Sequence, residues 1–221
     1  MVEIALCLAI VGFALVAIIG VLPTGLQVQR ENNLDTVVNQ EGMYFLEAIR
    51  SGSQGLDELM RYVDGVRSYS SNRAPLAMMP PALNGRVIIG LLSRPYATNV
   101  AKVRAITGSA AEKSVALTNF SFGYLLTTQV IPLTNAFAAP ALTDPYVYAE
   151  AQVLSSNAYQ LVLTLQWPLL PDGPTVGGLP QWRAGDNVKV FRTLVSCELT
   201  NPYPFFPALY FFEPSTFVGY R

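Results

Sequence analysis

Histidine is absent from this chain of 221 residues, and that absence alone removes a good deal of chemistry. Without imidazole there is no Ser-His-Asp or Cys-His nucleophile, no zinc site built on ring nitrogens, and no side chain that ordinarily titrates near neutrality. Cysteine is nearly absent as well: Cys7 and Cys197 stand 190 positions apart. Cys7 lies inside an apolar run, where a thiol behaves as a small hydrophobe, so disulfides are not the organising device. Charge is scarce too, at 13% of residues against roughly a quarter in an average soluble domain. Fourteen basic residues nearly cancel fifteen acidic ones, and no lysine or arginine block stands out. A nucleic-acid surface needs such a basic field, so no nucleic-acid partner is expected.

What is present is apolar. Hydrophobic residues make up 51% of the chain, with eleven Tyr and eleven Phe. A weakly charged, aromatic surface is suited to packing against other protein. The chain opens MVEIALCLAIVGFALVAIIGVLPTGLQVQRENN, and from Ile4 to Leu22 it carries no charge. At about 1.5 Å per residue, that run roughly spans the hydrocarbon core of a bilayer. A cleavable secretory signal needs cations before its apolar segment, whereas this start has Glu3 and no cation before Arg30. A plain membrane anchor and a buried core helix are the other readings, the latter weakened by the length of a run that is apolar on every side. Pro23, between Gly20 and Gly25, removes one helical hydrogen bond, and the glycines lower helix propensity. A simple kink, or a stretch over 18–25 that unwinds locally once the helix is packed among others, is expected there.

A carboxylate at the mouth of an apolar helix is costly in lipid and normally marks a function with a partner, although it also suits a helix N-terminus, where the macrodipole favours an anion. Val2, Glu3, the run IALCLAIVGFALVAIIG, and Pro23 with Gly20 and Gly25 together resemble the N-terminus of bacterial type IV pilins and type II secretion pseudopilins. The resemblance covers about the first fifty residues. It implies a leader removed by a prepilin peptidase and a modified mature N-terminus, which would be Met1 if the mature chain starts there. It also implies that Glu3 pairs with the terminal amine of a neighbouring subunit and sets axial register. In that family the glutamate usually stands fifth, and here it stands third. The difference implies either a start two residues earlier or different processing.

Beyond Gly25 the period is helical. Leu34, Val38, Phe45, Ile49, Leu56, Leu59 and Val63 form one apolar stripe, with Arg30, Glu31, Asn39, Gln40 and Glu47 opposite. The stripe is expected to dock on the head that follows. SGSQG (51–55) should break the helix, with a shorter one over about 56–66. After Ser68 the sequence predicts a proline-rich connector, RAPLAMMPPALNGR. Strand-like runs follow: RVIIGLL, KVRAITG, FSFGYLLTTQVIPL, YVYAEAQVL, YQLVLTLQW and VKVFRTLVSC. PLLPDGPTVGGLPQWRAGDN reads as a long loop, and the tail is rich in aromatics and prolines. The expected fold is α+β: a long N-terminal helix packed on a mainly antiparallel head. Three parts are expected: an apolar helix (1–25), an amphipathic stem (26–67) and a β-rich head (68–221).

PDGPTVGG lacks the P-loop lysine and the helix that should follow it. Asp144, Asp172 and Asp186 match no Ca²⁺-loop spacing and are read as solvated. Asn119-Phe120-Ser121 fits the three-residue glycosylation pattern, a match that arises often by chance. No acid–base pair, metal set or cofactor is expected, and the chain is not read as an enzyme. The leading expectation is a structural subunit of an extracellular helical filament of identical copies. Such a subunit resides in the bacterial inner membrane before assembly machinery extracts it. The alternatives are a minor pilin or pseudopilin of a secretion or DNA-uptake machine, or a membrane-anchored surface binding protein.

Overall fold

A computed structural model describes residues 2–51, 57–69, 75–79, 85–106, 122–133, 145–176, 178–196, 198–200 and 211–212. The chain divides into two compact units, Met1–Asn39 and Gln40–Arg221. Helix α1 (Val2–Ser51) supplies the described part of the first and continues into the second.

In the first unit, every described side chain from Val2 to Asn33 is exposed; Leu34 is half-buried, and Val37 and Val38 are buried. The helix runs through Pro23 without unwinding between Ile18 and Gly25. Proline deletes a single backbone bond. The backbone hydrogen bonds of the turns on either side carry the helix through it. Residues 2–50 are long and apolar enough, by length and composition, to cross a membrane.

The second unit is α+β. The end of α1 is followed by a 3-10 turn (Asp57–Arg61), β1 (Val63–Tyr69), β2 (Pro75–Met79), α2 (Gly85–Leu92), β3 (Thr98–Arg104) and β4 (Gly123–Pro132). Then come α3 (Pro145–Asn157), β5 (Ala158–Leu170), β6 (Thr175–Val176), β7 (Leu179–Pro180), β8 (Arg183–Ser196), β9 (Leu199–Thr200) and β10 (Phe211–Phe212). The main sheet has six strands in the order β2-β1-β3-β4-β5-β8, with every described pairing antiparallel.

Register explains the core. Val66, Ala101, Leu126 and Leu165 sit opposite one another across four strands, and each is at most 1% exposed. Along β5, Tyr159, Leu161, Leu163, Leu165 and Trp167 are buried and alternate with half-buried residues, the period of two expected for a strand with one covered face. Each buried leucine contributes about 1.5–3 kcal/mol relative to exposure. Helical residues cover this inner face: Tyr124 meets Glu41, Phe191 meets Gly42, and the Thr128 hydroxyl donates to the Leu92 carbonyl at 2.7 Å.

Several local expectations are overturned. RVIIGLL forms α2 rather than a strand, because a short apolar run buried on most sides carries no decisive period. YVYAEAQVL forms α3, which opens at Pro145, a residue whose fixed φ suits a first helical turn. The second helix expected over 56–66 is the 3-10 turn followed by β1. PLAMM, placed in a connector, is edge strand β2. The expected loop after Trp167 holds the end of β5, the β6–β7 ladder and the start of β8.

Candidate functional site

The residues singled out from the sequence fall in different places. Glu3 lies in the first turn of α1 and is exposed. Around it Ile4, Leu8 and Phe13 are 67%, 68% and 79% exposed, so no contact within the described chain accounts for this apolar surface. A Cβ added to Gly20 or Gly25 would meet nothing within 4 Å, so packing within the chain does not require glycine at either position. Along the stripe, Leu34 is half-buried, Val38, Phe45 and Ile49 are fully buried, and Leu59 and Val63 are each 2% exposed. Leu59 sits in the 3-10 turn and Val63 in β1 rather than on a helix. Met1, Leu56, Cys197, Asp144 and the Asn119-Phe120-Ser121 motif lie outside the described residues. Asp186 is exposed, and Asp172 pairs with Lys102 at 2.9 Å. Among the described residues, no three His, Cys, Asp or Glu gather as a metal set.

Two polar sites in the second unit escaped the sequence. The first is Glu41, whose side chain is fully buried although it belongs to an ionisable residue. Tyr124 donates its hydroxyl to Oε2, and the Ile106 N–H donates to Oε1 at 2.7 Å. A buried carboxylate is tolerable when both oxygens accept hydrogen bonds. Burial, then the Glu41 charge and its hydrogen bond, with a smaller contribution from Tyr44, push the Tyr124 hydroxyl well above its ordinary pKa of 10.0. A signal was available: Glu41 stands three residues after Val38 and four before Phe45, on the apolar stripe itself. An acid on such a stripe calls for a buried partner.

The second is Arg67 on β1, which is 3% exposed. Its Nη1 donates to the Pro180 carbonyl at 2.8 Å, and its guanidinium lies 3.7 Å from the centroid of the Trp182 ring. Arg67 pairs in register with Val100, which puts it on the sheet face opposite Val66. The segment between β5 and β8 covers it there. β1 is buried on both faces through Gly65–Ser68, so no alternation marks Arg67 in the sequence. On the inner face, the Ser68 hydroxyl donates to Oδ1 of Asn99, whose Nδ2 donates to the Arg94 carbonyl at 3.4 Å.

These arrangements tie elements of the second unit together, and none of them involves the exposed apolar residues at the start of α1. A scan against protein-family models, a search of curated proteins and a search of solved structures each find no match for the chain.

Proposed function

We propose that this chain is a structural subunit of an extracellular filament resembling type IV pili. It would reside in the inner membrane through α1 before assembly. The observation that carries the reading is α1 itself: one unbroken helix whose exposed apolar start holds a single acid, and whose later turns are built into an antiparallel sheet unit. In lipid the apolar side chains are solvated by acyl chains. In a filament they are covered by the helices of neighbouring copies, and Glu3 pairs with a neighbour's terminal amine. Head-to-tail contacts that do not close then generate an open helix. No catalytic role belongs to this reading.

A minor pilin or pseudopilin that primes a short fibre shares the mechanism. A monomeric surface-binding protein on a simple anchor does not, because such an anchor gains nothing from an acid in its first turn. Negative-stain microscopy of sheared surface material, with mass spectrometry of the N-terminal peptide, tests filament membership and N-terminal processing together. Glu3→Ala is expected to make filaments sparse or absent while the chain still reaches the membrane. Normal filament density in that variant would remove the register role from Glu3.

A further inference from the structure

Arg67 is a buried cation with which no acid among the described residues pairs. Two of its nitrogens, Nε and Nη2, have less than 1 Å² of accessible surface and no hydrogen-bond partner. These two donors share one edge of the guanidinium plane, the edge whose parallel N–H groups match the two oxygens of a carboxylate. A desolvated guanidinium with that edge unmet is costly, and the cost disappears when an anion occupies it.

The neighbouring charges identify the kind of anion. Lys102 lies on the same outer face, its register partner Gly65 being two residues from Arg67. Lys102 is neutralised by Asp172, and Arg104 lies 3.1 Å from Asp64. Among the described residues Arg67 itself has no countercharge, and the two-donor edge of a single guanidinium suits a carboxylate monoanion.

The cover over this edge is slender. Its described residues include exposed Pro171, Asp172, Pro174, Thr175 and Gln181 and a ladder of two residues per strand, with Gly178 at a φ of 82°. It is fastened by the Lys102–Asp172 pair, by the Gly173 N–H donating to the Gln181 carbonyl at 2.7 Å, and by Arg67 itself through Pro180. Trp182 forms one wall of the site through its contact with the guanidinium.

We propose that the Nε–Nη2 edge of Arg67 is a carboxylate-binding site, filled from outside the chain when the residues Pro180 and Trp182 that lie against it shift. The site lies within the second unit and does not depend on filament assembly, so it is tested separately. The full chain in detergent micelles is titrated with sodium acetate, tetraglutamate or inorganic phosphate, each against sodium chloride at equal ionic strength. Thermal unfolding and tryptophan fluorescence are followed. Acetate is expected to raise Tm saturably by about 2–4 °C over chloride, with a parallel change in Trp182 emission. Arg67→Lys keeps the charge but loses the fork, and should abolish both responses; Arg67→Gln should do the same. Saturation by tetraglutamate at much lower concentration assigns the carboxylate to a protein partner, and equal saturation assigns it to a small acid. Three outcomes overturn the proposal: no acetate response beyond chloride in the wild type, a phosphate response exceeding that of acetate, or an acetate response that survives in Arg67→Lys. The wild-type titration decides the matter even if both variants fail to fold.

Discussion

Glu41 on α1 and Tyr124 on β4 share a buried hydrogen bond that spans 83 positions of sequence. It joins the helix to the inner face of the sheet, and the Ile106 N–H occupies the other carboxylate oxygen.

Glu41→Ala should therefore strand two buried donors at once. The expected loss is about 2–5 kcal/mol of unfolding free energy, read by chemical denaturation of the full chain in detergent. Glu41→Gln keeps one acceptor and should cost clearly less. Equal losses in the two variants would mean that packing, not hydrogen bonding, holds this residue.

The Tyr124 hydroxyl also sets a pH dependence. Its pKa in the folded chain lies above the ordinary 10.0, chiefly through burial. The folded state therefore holds the proton more tightly than the unfolded state. The resulting stability is fully present below pH 10 and is lost as pH rises from there through the folded pKa. Tyr124→Phe should lower stability at neutral pH by about 1–3 kcal/mol while flattening this alkaline limb. A limb of unchanged steepness in the variant would assign it to another group.

Gly42 offers a packing test. A Cβ there would stand 2.3 Å from the Phe191 ring, far inside contact distance. Alanine gains about 1 kcal/mol of helix propensity, but the overpacking costs about 1–3 kcal/mol. Gly42→Ala should thus be net destabilising, and Phe191→Leu should recover part of the loss in a double-mutant cycle. A Gly42→Ala variant as stable as the wild type or more so would show that the ring swings aside freely.

Phe13 lies near the middle of the run from Ile4 to Leu22 and is 79% exposed. Phe13→Lys should penalise membrane insertion by about 3 kcal/mol, shifting the chain toward the alkali-extractable fraction in carbonate washes. Denaturation of the second unit should be unaffected. An unchanged membrane fraction would argue that the apolar helix does not sit in lipid.

The sequence was most legible where one physical demand dominated. The apolar start of α1, the alternation along β5 and the α+β class follow from burial periods alone. Legibility failed where two demands overlapped. In α2, Ile88, Ile89, Leu91 and Leu92 are all buried, so helix and strand predict the same pattern. In α3, the Tyr-Val-Tyr-Ala alternation masks a helix, although Asp144-Pro145 followed by Ala-Glu-Ala-Gln carries helix-start chemistry. Of the polar sites, Glu41 was discoverable from its place on the stripe. Arg67 was not, because its burial depends on a segment more than a hundred positions away.

The strand order β2-β1-β3-β4-β5-β8 departs from chain order only at its first two members. During synthesis, each later strand therefore joins an edge that the previous one has just left open, and the sheet grows vectorially. The final addition, β8, also brings Phe191 onto Gly42. Closure of the helix–sheet layer must therefore wait until Phe191 has been made. Until then the nascent chain carries an open β5 edge, the kind of edge that invites pairing with another chain.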